Sequence, residues 1–162
     1  MTVTDVRKDI ENLTLVLTNH FAATVDRVWQ VWADPRLLER WWGPPTYPAT
    51  VVHHDLTPGG AVRYFMTSPE GDKYHGFWQV TAVDAPHSLE FDDGFADDAG
   101  RPNTDMPVSS ARVTLVDDGT GGTVMTLTST YASAEDLEKV LGMGLEEGIT
   151  LALNQIDGLL AA

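Results

Sequence analysis

Residues 133–160 read SAEDLEKVLGMGLEEGITLALNQIDGLL. Leu137, Leu141, Leu145, Ala152, Ile156 and Leu159 recur at spacings of three, four or seven. Side chains so spaced share one face of an α-helix, and Glu138, Lys139, Glu146 and Asp157 lie largely off it. The pattern predicts one amphipathic helix of about seven turns. Ser133 and Asp136 form a near capping box at its start, with Asp in the place of the usual Glu. A stripe that long has to be covered by an apolar surface supplied by the rest of the chain.

Upstream of it the period changes from helical to two. Residues 123–131, 108–116, 88–92, 73–84, 61–67 and 50–56 alternate or are β-rich and are bounded by turn signals, so they read as about six strands in hairpin succession. Pro58-Gly59-Gly60, the run from Ser68 to Asp72, Ala85-Pro86 and residues 117–122 are the breaks between them. Residues 93–107 hold four Asp, two Pro and two Gly without periodicity and read as an exposed loop, long enough to be a lid over one mouth of a cavity. Residues 13–21 alternate as another half-buried strand. Between it and the six lie two short helices. Thr24 caps one over residues 25–33, and Asp34-Pro35 starts a second that Gly43-Pro44-Pro45 ends. Residues 1–12 read as a loose leader and residues 13–162 as a single domain. Antiparallel strands with segregated helices mean an α+β fold, a curved sheet wrapped around the long C-terminal helix.

Composition narrows the function. The chain has 162 residues, 43% of them apolar, which suits one domain with a real core. A net charge of −14 repels phosphates and anionic head groups, so no nucleic acid and no acidic membrane is expected as a partner. With no Cys there are no disulfides and no zinc-thiolate sites, which fits a reducing compartment. No apolar h-region or membrane-length run is visible, and a cytoplasmic location is the expectation. His53 and His54 are adjacent on a strand and point to opposite faces, so no metal site is expected there. No P-loop or Gly-x-Ser-x-Gly elbow is present, and no cofactor is implied.

Specific motifs then carry a resemblance. Phe21-Ala22-Ala23-Thr24, Val28-Trp29, Trp32-Ala33-Asp34-Pro35 and Leu38-x-x-Trp41-Trp42-Gly43-Pro44 look like the opening of the family related to the C-terminal domain of the Hsp90 ATPase activator. Gly59-Gly60, Pro86-x-x-Leu89 and the segment from Gly142 to Gly148, followed by Gln155-x-Asp157-x-Leu159-Leu160, fit the same family. The resemblance implies the helix-grip fold (START-like, SRPBCC, Bet v 1-like) and a cavity between sheet and terminal helix. It departs at Asn19, a position that often carries Arg in the family.

Gly144 and Gly148 fall on or beside the buried stripe, and each costs a helix interior about 0.8–1.0 kcal/mol relative to Ala. Either the helix comes close to the sheet there, or the missing side chains leave room for a guest. The expected ligand-binding set is Trp41, Tyr64, Met66, His75, Trp78, Met125, Leu127, Met143, Gly144, Glu147, Gly148 and Leu151. Arg63, Gln79 and Asn154 are further polar candidates, and which strand faces point inward stays open. Three functions compete. The first is binding of a small hydrophobic or aromatic molecule in the cavity. The second is an enzyme of the polyketide cyclase, dehydratase or hydrolase kind, with Glu147 or His75 as its acid–base residue. The third is a co-chaperone-like protein-interaction role, which needs an exposed apolar patch and little internal volume. A homodimer stays an open alternative.

Overall fold

The computed structural model describes residues 3–161. β1 (Val3–Asp9) and β2 (Thr14–Phe21) lead into α1 (Val25–Ala33) and α2 (Pro35–Trp41). β3 (Ala49–His54), β4 (Ala61–Thr67), β5 (Lys73–Asp84), β6 (Ser88–Phe95), β7 (Ser109–Asp117) and β8 (Thr123–Tyr131) follow. The chain closes with α3 (Ala134–Gly142), α4 (Leu145–Leu153) and α5 (Ile156–Leu160). All eight strands form one antiparallel sheet in the order β1-β2-β8-β7-β6-β5-β4-β3. The α+β helix-grip architecture is as the sequence predicts, and so are the hairpin succession and the two short helices.

The caps are those read from the sequence. Thr24 accepts from Arg27 N, and Asp34 accepts from Arg36 N at 2.9 Å with Pro35 at the first helical position. Ser133 accepts from Asp136 N at 3.1 Å. Each satisfies a backbone donor that the first helical turn leaves without a partner.

Three expectations are corrected. The leader is not loose over residues 3–9: this segment pairs with β2 from Val3↔Asn19 to Asp9↔Thr14, and residues 1–2 lie outside the described ones. The turn between them is tied by Asn12, whose N and Nδ2 donate to the Asp9 carboxylate at 3.1 and 2.7 Å. An edge strand draws its order from backbone pairing, so a polar sequence such as VTDVRKD need not alternate. The acidic loop also starts later. Residues 93–95 continue β6 to Phe95, and Asp97 then organises the turn by accepting from Ala99 N and Arg101 N, both at 2.9 Å.

The third correction concerns the terminal helix, which is segmented. Gly144 has φ +86°, a left-handed conformation that ends α3 and restarts the chain as α4. A second break at residues 154–155 separates α5. The stripe survives the breaks but divides its work. Leu137 and Val140 pack with Tyr131 in a small satellite cluster, whereas Leu153 and Ile156 join the main core. Gln155 Nε2 donates to Gly43 O at 2.7 Å and to Trp41 O at 3.3 Å, which ties the terminal segment to the Trp-Trp-Gly-Pro corner. The main core is aromatic at its centre: Trp32 meets Trp41 edge-on with centroids 4.7 Å apart, and Trp78 stacks on Phe91 at 4.0 Å.

Candidate functional site

The inner face of the sheet is set by the strand period of two. Leu15 and Leu17 on β2, Tyr64 and Met66 on β4, Gly76 on β5, and Phe91, Asp93 and Phe95 on β6 line a cavity of about 490 Å³. Ser109 and Ala111 on β7 and Leu127, Ser129 and Tyr131 on β8 continue its floor. Trp42 and Pro44 close one side, and Leu145, Gly148, Ile149 and Leu151 of α4 roof it. Tyr47, Tyr74, Met143 and Leu151 line the cavity and are also 37–56% exposed, so they mark its mouth. A volume of this size, mostly apolar with a few convergent polar groups, falls in the range of small-molecule sites.

The space exists because of what α4 omits. A Cβ on Gly148 would meet no atom within 4 Å. Close helix–sheet packing is therefore not what Gly148 serves; it leaves open space. Gly144 serves the backbone turn instead.

The polar centre depends on a second glycine. Tyr64 and Gly76 are register partners across β4 and β5, while Asp93 on β6 sits one rung away, opposite Trp78 and Ser109. A Cβ on Gly76 would overlap the end of the Tyr64 ring. Because none is there, the ring crosses β5 and Tyr64 Oη donates to Asp93 Oδ1 at 3.2 Å. Burial pushes the Asp93 carboxyl up to about 7, and the Tyr64 hydrogen bond holds it partly down. Burial, and then the Asp93 charge, push the Tyr64 phenol well up. The same two causes push Tyr131 up to about 12. At neutral pH the site thus holds one acid poised near its midpoint beside two neutral phenols.

The expected site residues divide. Tyr64, Met66, Leu127, Met143, Gly144, Gly148 and Leu151 line the cavity. His75 borders it, but its ring stands on the outer face of the sheet, 5.7 Å from the Phe65 ring and 3.9 Å from Asp98 Oδ1. Trp41, Trp78, Met125 and Glu147 do not line it, which corrects the expected lining. Trp41 is buried beneath Trp42 and donates to Val31 O at 2.8 Å. Trp78 is core against Phe91, and Met125 Sδ accepts from Trp32 Nε1 at 3.3 Å. Glu147 is exposed. Of the other polar candidates, Arg63, Gln79 and Asn154 are exposed and off the wall. His54 Nε2 contacts Trp32 O at 3.1 Å.

The sequence profile of the family described as Activator of Hsp90 ATPase homolog 1-like protein matches residues 22–161. The chain belongs to that family. Several solved structures resemble it over nearly the whole of both chains. Protein Ms6760 from Mycobacterium smegmatis is 59% identical, with a TM-score of 0.90 over 98% of this chain and 96% of that one. A protein from Arthrobacter aurescens is 49% identical, with a TM-score of 0.94 over 99% and 92%. One from Staphylococcus epidermidis is 27% identical, with a TM-score of 0.83 over 98% and 94%. No curated protein matches at a significant level. Among the described residues no helix is long and apolar enough to cross a membrane.

Two features of this AHSA1-like chain take their meaning only from burial. Asn19, where the family often has Arg, is fully buried on the inner face of β2, and among the described residues neither polar atom of its amide finds a partner. Asp93 was counted with the acidic loop. Its signal was present in the alternation Leu89, Phe91, Asp93, Phe95, where an acid takes the place of an inward apolar residue.

Proposed function

We propose that this protein binds a small hydrophobic or aromatic molecule in the cavity between the sheet and α4. The observation that carries the reading is the open volume beneath Gly148, walled by Trp42, Tyr64, Phe91 and Tyr131 and opening at an apolar mouth. A core built only for stability would fill it, since voids cost free energy that grows with their size. The volume also weighs against the co-chaperone-like role, which needs no interior room. Thermal unfolding against a library of apolar amines, alcohols, flavonoids and polyketide-like aromatics tests it. A ligand at about 100 times its Kd stabilises by roughly 2.7 kcal/mol, and a library without a single shift overturns the reading.

Acid–base chemistry on the bound molecule is the second reading, and one observation favours it: Asp93 and Tyr64 converge in the cavity with the acid held near neutrality. Glu147 and His75 give way to this pair, because the first is exposed and the ring of the second faces outward. Turnover of a polyketide-like substrate with a pH–rate inflection near 7, lost in Asp93→Asn, is the expected sign.

A further inference from the structure

Resting on the binding reading, we infer that the cavity selects apolar molecules bearing one protonated amine and discriminates against carboxylates, with Asp93 as the counter-ion.

The argument is one of charge inventory. Among the described residues that line the cavity, Asp93 is the only acid, and no Lys or Arg is present. The His75 ring packs on the outer face against Phe65 and offers no cation inside. A carboxylate ligand would bring a second negative charge into a low-dielectric space with nothing to pair it. An ammonium meets the opposite situation. Tyr64 engages Oδ1 of Asp93 and leaves Oδ2 for the ligand. Trp42, Tyr64, Phe91 and Tyr131 line the same space, and a cation held beside aromatic rings is attracted by their quadrupoles. The net charge of −14 adds a long-range field that gathers cations and repels anions at the mouth.

A pH dependence follows from the same geometry. The groups facing Asp93 are Tyr64 from β4, Ser109 from β7 and Tyr131 from β8, and both phenols stay neutral well above pH 8. From β5 come Gly76 and Trp78, and the roof from α4 carries only Leu145, Gly148, Ile149 and Leu151. His75 borders the space with its ring on the outer face, so the ionisable group that meets the ligand as an anion is Asp93. Amine binding needs its ionised form and weakens as the pH falls.

The test uses two matched series on the full chain, each below its aggregation concentration. One is 2-naphthylmethylamine, 2-naphthylmethanol and 2-naphthoate, and the other is decylamine, decanol and decanoate. At pH 8 we expect each amine to bind at least tenfold tighter than its alcohol, with the carboxylate weakest. The advantage of the amine should vanish in Asp93→Asn while alcohol binding persists, which also shows that the variant is folded with its cavity intact. Lowering the pH from 8 to 5 should weaken the amine at least tenfold and leave the alcohol unchanged. Carboxylates that bind as well as amines, or an amine advantage that survives Asp93→Asn, overturn the inference and leave the binding reading standing. No binding by any of the six overturns both.

Discussion

The Tyr64 ring occupies the volume that a Cβ on Gly76 would need. The two are register partners, and only a glycine at 76 lets the phenol reach across β5 to Asp93. Gly76→Ala is therefore expected to lower stability by about 1–3 kcal/mol, the usual cost of overpacking a core. Urea unfolding reads the loss. Carbon NMR of the Asp93 carboxyl reads its second effect. Without the Tyr64 donor, the Asp93 midpoint should move upward, and Tyr64→Phe should reproduce that move without the overlap.

Asp93 itself makes the folded state less stable as pH rises. Its carboxyl goes from an ordinary 3.8 to about 7 on folding, so between those values the native state binds more protons than the unfolded one. Unfolding free energy then falls as pH rises from about 4 to 7 and levels off above. At about 1.36 kcal/mol per pH unit the ceiling is ~4 kcal/mol, and water in the cavity reduces it to roughly 1–3 kcal/mol. Asp93→Asn should be the more stable protein at pH 8, and the gap should close near pH 4. Equal pH profiles for the two proteins in chemical denaturation would refute this.

Gly148→Ala should stabilise the fold. The site is a helix interior in open space, so the substitution gains about 0.8–1.0 kcal/mol of helix propensity and meets no neighbour. In a protein of this size that raises Tm by about 2–4 °C. Gly148→Leu should remain folded and lose binding, because its side chain extends into the cavity. Calorimetry and ligand titration on both variants separate the two effects, and normal binding by Gly148→Leu would place the ligand elsewhere.

The β7–β8 turn carries an acid-sensitive tie. Asp118 Oδ2 lies 2.5 Å from His20 Nε2, and Oδ1 accepts from Thr120 N, Thr120 Oγ1 and Gly122 N at 2.8, 2.7 and 3.0 Å. These bonds, that to His20 foremost, hold the carboxyl well below the ordinary range. A depressed acid contributes stability above its unfolded value and loses it as pH falls below that value. Asp118→Ala should have a lower urea midpoint than the parent at pH 7, and the difference should shrink as pH drops below 3.8. A deficit that is the same at pH 7 and pH 3 would show that the carboxylate is not its source.

Much of this protein is local and therefore legible in its sequence. Thr24, Asp34 and Ser133 cap helices through bonds to residues two or three ahead. Ala61–Thr67, Lys73–Asp84 and Thr123–Tyr131 announce themselves by composition and flanking turns. The Trp-Trp-Gly-Pro corner carries the family, and with it the existence of a cavity. The segmented terminal helix was less legible, because an apolar stripe reads the same whether Gly144 continues a helix or turns left-handed out of it. β1 was hidden for a related reason, since an edge strand is held by its partner's backbone and leaves little mark on its own side chains.

What the linear pattern left open was decided by pairing across the sheet. Register alone puts Tyr64 beside a glycine and Asp93 one rung beyond, and no spacing rule joins residues 29 positions apart. Burial then converts an ordinary acid at the rim of a loop into the one carboxyl among the described residues lining an apolar space. The sequence by itself determined the fold, because periodicity and caps act over a few residues, while the open space beneath Gly148 is a matter of how the helix sits on the sheet. The tertiary structure decided which side chains meet in that room, because charge and solvation depend on neighbours that only folding brings together.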